Sequence, residues 1–134
     1  MGAFKYIQKS FEKSLKERTR GYRDRISSWM DENTVARAER PTNPLRARSL
    51  GYKAKKGYAI ARVRIAKGKR SRRRPDVGRK PGRNVKRVNP GKELKFYAIE
   101  KASRRFSNMT PINAYLAGEN GQYKFFEIIL KETQ

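Results

Sequence analysis

The sequence predicts an α+β fold: a small antiparallel-rich sheet covered by helices, with a long basic arm or loop. Three observations lead there. Apolar residues recur at helical spacing near the start and again after Pro90-Gly91. Residues 58–66 alternate as a strand does, and two apolar-rich stretches flank Gly118-Glu119-Asn120-Gly121. Those stretches make a β-hairpin, which with strand 58–66 gives a small antiparallel-rich sheet covered by helices, an α+β class.

Taken in order, Phe4, Ile7, Phe11 and Leu15 mark one helical stripe. Tyr22, Ile26, Trp29 and Met30 mark a second after Gly21, which reads as the break. Both stripes are expected to be core positions, with basic residues on the opposite faces. In 58–66, Ala59, Ala61, Val63 and Ile65 form an apolar face, while Tyr58, Ile60, Arg62 and Arg64 form a mixed one. Leu94, Ala98, Ala102 and Phe106 repeat at i+4 with Ile99 beside them, predicting a helix that Pro111 prevents from continuing. Ile112–Ala117 and Gln122–Leu130 make a hairpin around Asn120-Gly121, a pair that tolerates positive φ in a tight turn.

The 134 residues fit one domain, 1–134, with a formal net charge of +23. That charge is concentrated. Segment 37–87 holds 20 basic and 2 acidic side chains, net +18, leaving the flanks almost balanced. It also contains Pro41, Pro44, Pro75, Pro81 and five glycines, and no period survives from Lys67 to Arg87. Because the run is internal and both flanks are patterned, it reads as a loop or arm held at both ends and suited to a polyanion, more than as a solvated tail.

The sequence contains no Cys and no His, which removes disulfides, zinc sites with such ligands, thiol nucleophiles and His-based acid–base chemistry. Asp24, Asp31 and Glu32 match no metal-ligand spacing, so neither catalysis, a metal, a cofactor nor a small-molecule substrate is expected. No apolar run approaches the roughly 18–20 residues of a membrane span, no secretory signal pattern opens the chain, and a cytoplasmic protein without a membrane partner is expected.

Arg40-Pro41-Thr42-Asn43-Pro44 reads as an extended, turn-containing start to the basic region. After it, small residues and glycines among Arg46, Arg48, Lys53, Lys55 and Lys56 let a backbone approach a phosphate chain while the cations neutralise it. Tyr52 is placed to stack on an unpaired base, with core packing as the plainer role, and packing is the expectation for Tyr58. Arg62 and Arg64 would project together, toward phosphate or solvent. Lys67, Lys69, Arg70, Arg72, Arg73, Arg74, Arg79, Lys80, Arg83, Lys86 and Arg87 complete the expected RNA-binding set.

The order of residues adds a resemblance. Met1-Gly2-Ala3 with Lys5-Tyr6-Ile7, the stretch from Arg40-Pro41-Thr42 to Gly57-Tyr58, and the hairpin residues Asn113-Ala114-Tyr115, Gly118-Glu119 and Tyr123–Leu130 resemble the large-subunit ribosomal protein family L-fifteen-e of archaea and eukaryotes. The resemblance implies a structural ribosomal protein in the cytoplasmic ribosome. Its partners would be large-subunit ribosomal RNA and neighbouring ribosomal proteins. It also implies an α+β body with basic extensions threaded between RNA helices, and an RNA-facing role for Arg40, Arg46, Arg48, Lys53, Lys55 and Lys56. Family members generally continue past this hairpin into a further basic part, whereas this sequence stops at Gln134, and they often carry Trp where Leu116 stands. The rival reading is a DNA-compacting chromatin-type protein, which would share the charge.

Overall fold

The computed structural model describes residues 2–73, 77, 82 and 86–133. Among the described residues four helices and six strands follow one another: α1 (Ala3–Glu17), α2 (Arg20–Asp31), β1 (Val35–Ala38), α3 (Pro44–Ser49), β2 (Tyr58–Ala66), β3 (Arg70–Ser71), β4 (Arg87–Val88), α4 (Leu94–Arg105), β5 (Met109–Glu119) and β6 (Tyr123–Glu132). The main sheet has the order β1-β2-β6-β5 with every pair antiparallel, and β3 pairs β4 in a separate two-stranded ribbon. The predicted α+β class is the observed one.

Both faces of the sheet are covered. On one side Ala59, Ala61, Val63 and Ile65 of β2 and Phe126, Ile128 and Leu130 of β6 pack with Ala98 and Ala102 of α4. The two alanines are fully buried, so α4 lies close against the strands. On the other side Tyr22, Ile26 and Trp29 of α2 pack on Tyr115, Ala117 and Phe125. Trp29 and Phe125 meet with ring centroids 5.5 Å apart. A strand buried on both faces loses polar alternation, which is why Phe125–Leu130 is apolar at five of its six positions.

The second helical stripe is therefore core as expected, but the first is not. Phe4 and Ile7 of α1 are 60% and 42% exposed, and Phe11 and Leu15 are only half-buried. Amphipathic spacing identifies a face without showing that anything covers it. Among the helices, α1 has its most extensive contact with α3, which is six residues long against fifteen, and meets α2 through Leu15 and Ser14. At about 1.5 Å per residue, α3 is far too short to cover that face.

The helices divide at Arg18, which adopts φ 49° and ψ 53°, not at Gly21, which lies in the first turn of α2. β1 and α3 had no periodicity to announce them, being four and six residues long. Pro111 lies inside β5 and not at a helix end; it occupies an edge strand beside a register shift, where proline is tolerated. The hairpin turn also differs from expectation, since neither Asn120 nor Gly121 has positive φ. Asn120 works through its side chain: Oδ1 accepts from the Gln122 and Tyr123 amides at 2.9 and 2.6 Å.

The glycine that matters in this hairpin is Gly118. A Cβ there would lie 2.7 Å from Ile26 Cδ1 and 3.3 Å from both Trp29 and the Tyr22 hydroxyl. Next to it, the Tyr22 hydroxyl donates to the Glu119 carbonyl at 2.8 Å and accepts from the Glu119 amide at 2.7 Å. One phenol thus satisfies both backbone groups of an edge-strand residue. Gly118→Val should lower stability by about 1–3 kcal/mol through overpacking, and Tyr22→Phe by a similar amount through two unpaired backbone groups. Urea denaturation followed by Trp29 fluorescence measures both.

Candidate nucleic-acid interface

The basic segment begins where it is tied to a buried carboxylate. Glu127 of β6 is fully buried, and its cross-strand neighbours are Arg62 on β2 and Tyr115 on β5. Arg62 Nη2 donates to Glu127 Oε1 at 3.3 Å, and the Tyr115 hydroxyl donates to Oε2. The Thr42 amide donates to Oε2 at 2.9 Å and its hydroxyl to Oε1. Burial first, then the Glu127 charge, drives the Tyr115 hydroxyl well above the usual phenol range, so Tyr115 is a fixed donor. The Arg62 guanidinium also pairs with Glu32 at 3.1 Å and lies 4.1 Å from the centre of the Trp29 ring.

From this anchor the chain enters α3. Asn43 caps it, its Oδ1 accepting from the Arg46 amide at 3.1 Å, and Pro44 occupies the first turn. Ala47 is fully buried, while Arg46 and Arg48 are exposed. The helix ends in a Schellman arrangement: Tyr52 N–H donates to Ala47 O at 2.9 Å and Gly51 N–H to Arg48 O at 3.1 Å. Gly51 supports it at φ 102°. The chain then presents Lys53, Lys55 and Lys56, all exposed, before Gly57 O accepts from the Glu132 amide at 2.8 Å and β2 begins.

Segment 37–87 is therefore not a single arm. It supplies β2, an inner strand of the sheet, with α3 before it and the paired strands β3 and β4 after it. After β2 the strands β3 and β4 pair, and an Arg72 N–H to Lys86 O bond of 2.9 Å extends the pairing. Arg70 sits 4.9 Å from the centre of the Tyr97 ring, joining this ribbon to α4.

The expected RNA-binding residues fall into three groups. Arg40, Arg46, Arg48, Lys53, Lys55, Lys56, Lys69, Arg72, Lys86 and Arg87 are exposed and make no ion pair with a described residue; Arg73 is exposed with a partner of its own. Arg62, Arg64, Lys67 and Arg70 make contacts within the protein. The Arg62 side chain is 12% exposed between two carboxylates, so it does not project to phosphate as expected. Arg64 donates to Met30 O at 2.6 Å and lies against Tyr123. Their strand face is the one α2 covers, and alternation alone could not show that. Tyr52 is half-buried against Ala38, Ile60 and Ile129, and Tyr58 packs in the same cluster. Arg74, Arg79, Lys80 and Arg83 lie outside the described residues.

Sequence reasoning missed Arg37, exposed on β1, and the anchoring pair Thr42 and Glu127. A signal for the latter was present: an acid within Phe125-Phe126-Glu127-Ile128-Ile129-Leu130 demands a buried partner. Among the described residues no cluster of Asp and Glu could hold a metal ion, and no helix is long and apolar enough to cross a membrane.

Glu17, Asp24, Glu100 and Glu119 also bind cations of the chain itself. Glu119 receives Lys67 Nζ at 3.0 Å, Arg18 at 3.7 Å and Lys124 at 4.0 Å. The Lys67 hydrogen bond, with the nearby charges of Lys67, Lys124 and Arg18, holds its carboxyl below the ordinary value against a smaller opposing effect of burial.

Comparison with known proteins bears on the whole of this arrangement. The family described as Ribosomal L15 matches residues 2–134. A relative from Metallosphaera sedula, the large ribosomal subunit protein eL15, is 46% identical over 109 residues, which is 81% of this chain and 50% of the relative. The chain thus spans about half the length of that relative.

Arg62→Met should cost about 3–5 kcal/mol, because it leaves the Glu127 charge buried with fewer donors. Arg62→Met combined with Glu127→Gln should recover part of that loss, since no uncompensated charge remains. Denaturant titrations of the two variants check this. For Glu119 the folded carboxyl titrates below its ordinary value of 4.5. Its contribution is complete above that value and fades as pH falls through the folded one. Glu119→Gln should therefore flatten the acid limb of a stability–pH curve while lowering the plateau at neutral pH.

Proposed function

This chain belongs to the Ribosomal L15 family, and we propose that it is a non-catalytic structural component of the large ribosomal subunit in the cytoplasm. In this reading it holds ribosomal RNA through the parts of segment 37–87 on either side of β2. Neighbouring ribosomal proteins are its other partners.

One observation carries the reading. The protein sorts its cations: Arg62, Arg64 and Lys67 are consumed by the body, while Arg40, Arg46, Arg48, Lys53, Lys55 and Lys56 are held exposed around a capped helix and a glycine-bounded loop. The carboxylates at Glu32, Glu119 and Glu127 already have partners within the fold. The excess charge therefore requires anions from outside, and spaced Arg and Lys on an anchored backbone suit a phosphate chain. The short ribbon β3–β4 presents Lys69, Arg72, Lys86 and Arg87 as a second group. Tyr52 is left as a packing residue with an exposed edge, so a stacked base is a secondary part of the proposal.

Phosphate contacts fix position without reading sequence. If about 8–12 of these cations meet phosphate, the log–log salt dependence of binding to large-subunit RNA has a slope of roughly −6 to −10. A slope near −2 would rule out extensive contact. Arg72→Ala should weaken binding without changing which RNA is preferred. Duplex DNA should displace the protein from structured ribosomal RNA far less well than RNA does; equal competition at every salt concentration would favour the chromatin-type reading instead. Large subunits washed at high salt should retain the chain.

A further inference from the structure

We propose that the cleft between α1, α2 and the Thr42–Pro44 lead-in receives a single unpaired RNA nucleotide, with its phosphate on Arg25 and its base against Tyr6. This rests on the RNA-binding reading above and names a site outside segment 37–87.

The starting point is an arginine without an acid. Arg25 lies in α2 with its guanidinium 5.8 Å from the centre of the Trp29 ring and 5.9 Å from that of Tyr22. Its Nε is buried and has no hydrogen-bond partner. Its one side-chain hydrogen bond, from Nη2 to Ser14 Oγ, is 3.5 Å long, at the limit of such an interaction. Buried donors are normally satisfied, and an exception needs an explanation; Nε has no accessible surface, so a phosphate in the cleft would meet the Nη atoms of Arg25, which face no carboxylate among the described residues. Arg62, whose Nε is also unpaired, differs because its remaining nitrogens already hold Glu32 and Glu127.

The space beside Arg25 has the right size and sign. It is an open cleft of about 490 Å³ that includes Ser10 and Ser14 with no acidic residue on its walls. That volume falls in the roughly 300–1,000 Å³ range of small-ligand sites. A larger groove of about 620 Å³, also lined by Phe11, mixes Glu12 and Glu93 with Arg46, Lys95 and Lys124, so its charge is not of one sign. Two hydroxyls and a guanidinium pinned by aromatic rings give a phosphate its donors.

The exposed part of α1 supplies the other half. Tyr6 is 72% exposed and belongs to the same cleft as Arg25, with Ile7 beside it. No fold requirement explains an aromatic ring held out there. Base stacking on such a ring is tolerant of sequence but requires an unpaired base. The cleft would then select RNA by the presence of an extruded nucleotide, which the phosphate contacts of segment 37–87 cannot do.

The test uses the full chain, a fully paired RNA hairpin, and the same hairpin carrying one bulged uridine. The wild-type protein is expected to bind the bulged hairpin about tenfold more tightly, the value of one base–aromatic stack. Tyr6→Ala and Arg25→Gln are each expected to reduce that ratio to within about twofold while binding the paired hairpin as before. Arg48→Ala should weaken both hairpins alike and keep the ratio. Tyr6 has little packing to lose, so it decides the matter if Arg25→Gln fails to fold. Tight, salt-dependent binding of both hairpins with equal affinity would overturn the cleft alone. A ratio unchanged in Tyr6→Ala would do the same. Failure to bind either hairpin would remove the RNA-binding reading and the cleft with it.

Discussion

The carboxylate of Glu127 is the constraint around which the rest is arranged. It is fully buried in β6, an inner strand, where an unpaired charge would be intolerable. Its donors come from β2, from β5 and from the chain just after β1, so one group fixes the relative positions of three strands and a connection. Burial and a salt bridge do not by themselves add stability. They do specify geometry here, because a one-residue slip of β2 against β6 would turn Arg62 to the opposite face. The alanines of α4 and the absence of a side chain at Gly118 then set how closely the helices approach the two faces.

That anchoring explains how a chain with a net charge of +23 can hold a defined body. Self-repulsion is dealt with locally, by pairing cations with the few available acids and by laying guanidinium groups on Trp29, Tyr123 and Tyr97. Among the remaining cations, those around α3 are carried by a backbone fixed from within, through the Asn43 cap and the Gly51 terminus, and Arg72 and Arg87 lie beside or on the paired strands β3 and β4. Rigid backbone with flexible side chains reduces the ordering cost of meeting a polyanion.

Much of this was legible in the letters. The bounds of β2, the α4 stripe, the Tyr22-Ile26-Trp29 face and the hairpin follow from period and turn chemistry, because each buries one regular face. What failed did so for physical reasons. The α1 stripe is apolar yet uncovered, since periodicity carries no information about the partner surface. Arg62 and Arg64 alternate as surface residues do, but α2 covers their face. Strand β1 and helix α3 are shorter than the windows in which a period can be recognised. Of the candidate interface, the concentration of cations was visible and its anchoring was not, because Thr42 and Glu127 are 85 positions apart.

The β3–β4 ribbon has a further bearing on how such a chain can change over evolutionary time. It closes a stretch of 15 residues between Ser71 and Arg87 with a pair of two-residue strands. The entropy of joining two ends rises only with the logarithm of the intervening length, about 0.6 kcal/mol for each doubling. Changes in the number of residues between the two strands should therefore cost the sheet little.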